Sequence, residues 1–230
     1  MFAKALYLLA ALTVAGCAHR SQPPALEKPI RTLGVASNCG SIISRESLAW
    51  LNVGADDHTT RDSTEWGFDE ALPQQLTEAS NGRVQTVPVN ADLLAVMQWR
   101  GESIFGGRTE ADMLRAAIRQ PNQSVDAYLL YTVGADGTPS GQRVNVRYGM
   151  GIFSRIRLNL AHVQCNAWLV DATSFKTIRL LRIGQTAEVD SDLLQDRWEE
   201  YSPKQMIQVQ LILSKLWRKA VDDVVAQTPL

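Results

Sequence analysis

Along 156–171 apolar side chains fall on alternate positions: Ala161, Val163, Cys165, Ala167 and Leu169 share one parity and would line one face of a strand. A different rhythm, at three- and four-residue spacing, runs through the carboxy-terminal segment. There Met206, Val209, Leu213, Leu216 and Ala220 form one stripe, and Ile207, Leu211 and Val221 widen it. A face that broad predicts a helix laid on a sheet rather than a narrow coiled-coil seam. Its start is marked by Ser202 as cap, Pro203 at the first position and Gln205 completing a capping box, and Pro229 ends it.

The same reading divides the rest of the chain. Strands are expected at 30–38 and 48–53, separated by the breaker cluster Asn38, Gly40 and Ser41, with a polar loop at 55–64. Phe68, Leu72 and Leu76 predict a helix over 69–79, which tolerates Pro73 only in its first turn and closes at Asn81-Gly82. Residues 84–89 form a short strand near an edge, because Pro88 cannot donate to a ladder. Asn90 caps a helix over 91–99, and Thr109 with Asp112 caps another over 110–119, with a glycine-bearing loop at 101–107 between them. The run Tyr128-Leu129-Leu130-Tyr131 inside 126–133 is continuously apolar, as suits a strand covered on both faces. After a loop at 134–141, strands at 144–153 and 156–171 follow, then a turn at Ala172-Thr173-Ser174 and a hairpin partner at 177–183. The order implies an α/β fold: a mixed sheet covered by helices, with parallel crossovers early, a late antiparallel strand block and a long C-terminal helix.

The first sixteen residues change the picture from a fold to an address. One positive charge at Lys4, an apolar run from 5 to 15 and small residues Ala15 and Gly16 before a cysteine have the layout of an export signal. The apolar run is too short for the roughly 20 helical residues that a membrane span needs. Val14-Ala15-Gly16-Cys17 resembles the lipobox of bacterial lipoproteins, which implies cleavage before Cys17 and acylation of its sulfur. Two or three acyl chains, at about 0.8 kcal/mol per buried CH₂, make a lasting anchor. Ala18 in place of aspartate implies release to the outer membrane under the sorting rule of many Gram-negative species. The organisation expected is a signal peptide at 1–16, a lipidated tether at 17–28 carrying Pro23 and Pro24, and one globular α/β domain at 29–230.

Charge narrows the partners. Without the leader, 22 basic side chains stand against 24 acidic ones, a net charge of −2. That balance lacks the basic stripe of a nucleic-acid binder, and no polybasic patch supplements the lipid as membrane contact. Two cysteines remain, Cys39 and Cys165. An oxidising compartment favours a bridge, whereas their strand-like apolar settings favour free, buried thiols, so both states stay open.

Candidate chemistry is sparse. Asp56-Asp57-His58 with Asp62 could offer metal ligands, but the spacing matches no calcium loop and a solvated polar loop accounts for it. His162 has no second histidine or cysteine at ligand spacing and reads as a surface or satisfied residue. Gly149 and Gly151, like Gly106-Gly107, read as turns or bulges, since neither pair follows a strand and opens a helix. No nucleophile elbow is present, and the acids Asp190, Asp192, Asp196, Glu199 and Glu200 fall where they would complement the dipole of the last helix. No catalytic residue, metal or cofactor is therefore expected. Of the six tryptophans, Trp66 beside the polar loop and Trp198 before the last helix are the candidate partner contacts.

Tyr148-Gly149-Met150-Gly151, followed by a long strand that ends in Val170-Asp171-Ala172, resembles a group of uncharacterised proteobacterial envelope lipoproteins. More loosely, the element order is similar to that of the lipoprotein activator of penicillin-binding proteins, the curli secretion lipoprotein and the amino-terminal domain of the Tol-system propeller protein. The resemblance implies a shared fold and transfers no functional residue. The function expected is a non-enzymatic protein-binding or scaffolding module tethered to the outer membrane, with an envelope protein as partner. A hydrolase of an envelope polymer and a subunit of a multimeric envelope assembly are the alternatives.

Overall fold

Strand β7 (Leu158–Asp171) organises the sheet, because its fourteen residues are long enough to carry two neighbours end to end on one edge. In the computed structural model, which describes residues 29–47, 57–99, 108–119, 124–133, 149–155 and 158–230, that edge holds β5 (Ala127–Val133) and β6 (Met150–Arg155). Both are antiparallel to β7, with Val133 opposite Cys165 and Met150 opposite Val163, so only Gln164 separates the two pairings. β5 and β6 thus act as two halves of one broken line. The next line repeats the arrangement: β1 (Thr32–Ser37) runs parallel to β5, and β2 (Ile42–Ser47) runs parallel to β6. At the outside, β4 (Gln85–Pro88) is parallel to β1 and β3 (Asp57–Asp62) antiparallel to β2, while β8 (Thr177–Glu188) pairs along the other edge of β7.

The sheet is mixed, and helices cover it. On one face α1 (Phe68–Ala79) and α4 (Pro203–Gln227) bury Leu72, Leu76, Val209, Leu213, Trp217 and Ala220 against Leu33, Val35, Leu129, Tyr131, Val163 and Leu169. On the other, α2 (Leu93–Met97) and α3 (Glu110–Ala117) bury Leu93, Val96, Met113 and Leu114 against Tyr128, Leu130 and Val170. β5 is apolar at every position but Thr132, because both its faces are core. Ser202 with Gln205 and Thr109 with Asp112 form the expected capping boxes of α4 and α3.

Several expectations need correction. The second strand is 42–47, and 48–53 lies outside the described residues. Ser44, Arg45 and Glu46, to which the sequence pattern assigns no strand, are all buried in β2, where the Arg45 guanidinium donates to the carbonyls of Gln195 and Glu46, both at 2.7 Å, and to Ser154 Oγ at 3.0 Å. Those partners arrive from far along the chain, so no local pattern announces them. The expected polar loop at 55–64 contains β3, whose charged residues suit an edge strand. Pro73 sits past the first turn of α1, where it forfeits a helix hydrogen bond; Leu72 and Leu76, each 1% exposed, show that core packing outweighs the loss. α2 is capped by Asp92, which accepts from the Ala95 amide at 3.1 Å, and not by Asn90.

The break between β1 and β2 is held from two sides. The Asp69 carboxylate, near the start of α1, accepts from Ser37 Oγ and from the Gly40 amide at 2.9 Å. Burial raises its pKa most, against the lowering effect of those two bonds. Cys39, inside the break, forms a disulfide with Cys165 of β7, their Cα atoms 6.0 Å apart. The bond reaches across the β5–β6 line where that line is interrupted. Gly149 and Gly151 make this possible, and they are close-approach positions rather than turns or bulges. A Cβ on Gly149 would overlap Cys39 Sγ, and one on Gly151 would overlap the Ser44 carbonyl and hydroxyl oxygens. Gly151→Ala is expected to destabilise by about 2 kcal/mol or more, because the obstacle is paired backbone that cannot move aside. An unchanged urea midpoint would remove this account of the glycine.

Candidate functional site

The first turn of α4 meets the segment after β3 in a groove of about 380 Å³. One wall is Trp66, which ends a 3-10 turn (Thr64–Trp66). That turn is fixed locally: Asp62 Oδ1 accepts from the Thr64 amide at 2.8 Å, a bond that lowers the Asp62 pKa, and buried Ser63 Oγ donates to the Gly40 carbonyl at 2.8 Å. Gly67, at φ 67°, then turns the chain into α1. The Trp66 ring meets Phe68 edge-on at 6.0 Å, Phe68 meets Trp217 at 5.5 Å, and Trp217 meets Tyr131 at 5.4 Å. The wall is thus continuous with the core, and Trp217 Nε1 is held by Gln75 at 2.9 Å.

The opposite wall is Pro203, Met206, Ile207 and Gln210 of α4, and Tyr201 supplies the floor. Arg61 and Glu65 pair at 2.9 Å on the rim, a half-exposed contact that contributes little to stability. Ile207, part of that wall, is 58% exposed, and beyond the groove the helix leaves Leu211 56% exposed. The sequence placed both in the packed stripe. They lie instead on the side of α4 turned from the sheet, which forgoes about half of the roughly 1.5–3 kcal/mol that full burial of each side chain is worth. No catalytic constellation accompanies the groove: its polar side chains are the mutually paired Arg61 and Glu65 and the Gln210 amide, and the Tyr201 hydroxyl is buried.

The structure treats the other candidates unequally. Cys17 lies outside the described residues. Trp66 lines the groove, but Trp198 is only 2% exposed and stacks beneath Tyr201 at 5.1 Å, so it is core and is withdrawn as a partner contact. The turn that precedes α4 folds its indole inward, which the local pattern did not reveal. Asp56 lies outside the described residues, and Asp57 and His58 belong to β3. Among the described residues no three histidine, cysteine or acidic side chains converge as metal ligands. Of the acids before α4, Asp192, Glu199 and Glu200 stand on two 3-10 turns, Asp190 and Asp196 lie outside them, and the first helical turn itself contains none.

His162 is neither a surface nor a satisfied histidine. It is 2% exposed in β7, opposite Gly151, and neither ring nitrogen has a hydrogen-bond partner among the described residues. Burial drives its pKa down to about 3, so the ring is neutral in the folded protein. Sequence reasoning missed the groove's Tyr201, Met206 and Ile207 as a surface. The only signal was the capping box that fixes where α4 begins.

No protein-family model matches the chain, and no curated protein is similar to it in sequence. Among solved structures it is similar to protein XCC0632 from Xanthomonas campestris, of the family DUF330, at 8% identity and a TM-score of 0.41, covering 89% of this chain and 86% of that one. It is also similar to the hypothetical protein CT253 from Chlamydia trachomatis, at 11% identity and a TM-score of 0.43, over 86% of this chain and 96% of that one. The lipoprotein GNA1162 from Neisseria meningitidis shares 12% identity at a TM-score of 0.30, over 81% of this chain and 97% of that one. Likenesses this distant transfer neither function nor residue roles.

Proposed function

We propose that the chain is a lipoprotein of the bacterial cell envelope, anchored through Cys17 at the outer membrane, and that its folded part is a non-enzymatic module which binds a protein partner. The leader and the Val14-Ala15-Gly16-Cys17 motif support the address. The buried Cys39–Cys165 disulfide supports it independently, since structural disulfides persist in oxidising compartments and are rare in the cytosol. No helix among the described residues is long and apolar enough to cross a membrane.

The observation that carries the binding role is the groove with its exposed extension, Ile207 and Leu211, one turn apart on α4. A concave site of mixed polar and apolar lining beside exposed apolar side chains is what side chains of a partner protein fill. The test places a photo-crosslinking amino acid at position 207 of the full chain in cells and, as control, at Leu94, which is 58% exposed on α2 across the sheet. A discrete protein adduct is expected from position 207 and none from position 94, together with fatty-acid labelling that Cys17→Ala abolishes. Equal adducts at both positions, or none at 207, would remove the groove from the reading, and absence of label on the wild-type chain would remove the address.

A further inference from the structure

We infer that the groove takes a basic segment of its partner protein, an apolar anchor residue flanked by lysine or arginine. The inference rests on the binding role proposed above and adds the partner's chemistry. It comes from the acids around the stretch between β8 and α4, which stay at the surface while Val189, Leu193 and Trp198 of the same stretch enter the core. From Glu188 to Glu200 the carboxylates are Glu188, Asp190, Asp192, Asp196, Glu199 and Glu200, all exposed, and Arg197 is the only basic side chain among them.

The topology brings this acidic strip to the groove. The 3-10 turn that carries Glu199 and Glu200 packs against β3, the strand that supplies Arg61, and it leads directly into Tyr201 and Pro203 of the groove. The turn that carries Asp192 is tied to the first turn of α4 by Gln205 Nε2, which donates to the Asp192 carbonyl at 3.3 Å. Acids therefore stand on both sides of the start of α4. The opposing positive charge is limited: Arg61 is engaged by Glu65, and Lys204 stands alone on the first turn. A cleft with apolar walls and an excess of carboxylates on the adjoining turns selects a cationic amphipathic segment, because nearby charges of opposite sign steer encounter and like charges repel. The same carboxylates disfavour an anionic lipid surface, and the concave shape does not suit insertion into a bilayer, which needs a protruding apolar face.

The experiment uses the crosslinker at position 207 in the lipidated full chain and compares three backgrounds: unaltered, Glu199→Lys with Glu200→Lys, and Glu199→Asp with Glu200→Asp. All are exposed positions, and resistance to limited proteolysis checks that the fold is kept. The reversed pair is expected to lower adduct yield roughly tenfold, the conservative pair to leave it within about twofold, and mass spectrometry of the adduct to find Lys or Arg beside the attached apolar residue. A protein adduct whose yield is indifferent to charge reversal, or whose attached segment is acidic or neutral, overturns this inference while the binding role stands. Attachment to lipid or to a second copy of the chain overturns it as well. No adduct at all sinks the binding role itself.

Discussion

Replacing Cys39 and Cys165 together by alanine is expected to lower the free energy of unfolding by about 3–5 kcal/mol, close to the ceiling for a disulfide. The bond closes a loop over a sequence separation of 126 residues, so the unfolded chain gains much conformational freedom when it is absent. The native state also loses something specific. Cys39 belongs to the four-residue break between β1 and β2, and Cys165 to β7, two lines away across the interrupted β5–β6 line. Without the bond, hydrogen bonds are left to hold the break, among them those to Asp69 and the Ser63–Gly40 contact, and the latter also fixes the turn that carries Trp66 into the groove wall. Urea unfolding with and without reductant gives the measurement. A midpoint that reductant leaves in place, with free thiols detected, would show that the bond carries no stability.

Acid should weaken the protein through His162, and His162→Leu should relieve it. The unfolded histidine titrates near 6.5 and the folded one at about 3. Above pH 6.5 both states are neutral and the group adds no pH dependence. As pH falls through 6.5 the unfolded chain takes up a proton that the folded chain refuses, so stability drops by about 1.4 kcal/mol per pH unit. The loss continues until pH approaches 3 and reaches roughly 5 kcal/mol across the window. Asp69, whose folded pKa is raised, acts in the opposite sense: its folded form binds a proton more readily, so it offsets part of the loss at the acid end. Comparing the variant with the wild type isolates the histidine. Between pH 6 and 4.5 the wild-type slope should exceed that of His162→Leu by nearly one proton, and parallel slopes would mean that the imidazole is not held neutral.

Much of the architecture was legible in the chain. The alternation in β7, the two-sided apolar run of β5 and the capping boxes of α3 and α4 are local signals, and each element formed where its signal lay. The polar strands were not legible. β2 buries Ser44, Arg45 and Glu46, and β3 is made of charged and hydroxyl residues, because pairing with neighbours, not side-chain pattern, holds them extended. Of the candidate site, Trp66 could be named from its place beside a polar stretch, but nothing local distinguished it from Trp198, which the turn before α4 folds under Tyr201.

By itself, then, the sequence determined the apolar strands β5 and β7, the capped helices α3 and α4 and the broad stripe of α4, since periodicity and caps depend only on neighbours a few positions away. Tertiary structure alone decided that β5 and β6 share one line, that Cys39 meets Cys165, that Gly151 must lack a side chain, and that Ile207 and Leu211 stay uncovered. Each of these depends on which distant segment arrives beside a given residue. A stripe wider than the surface available to cover it leaves one flank exposed, and only the packed neighbours choose which.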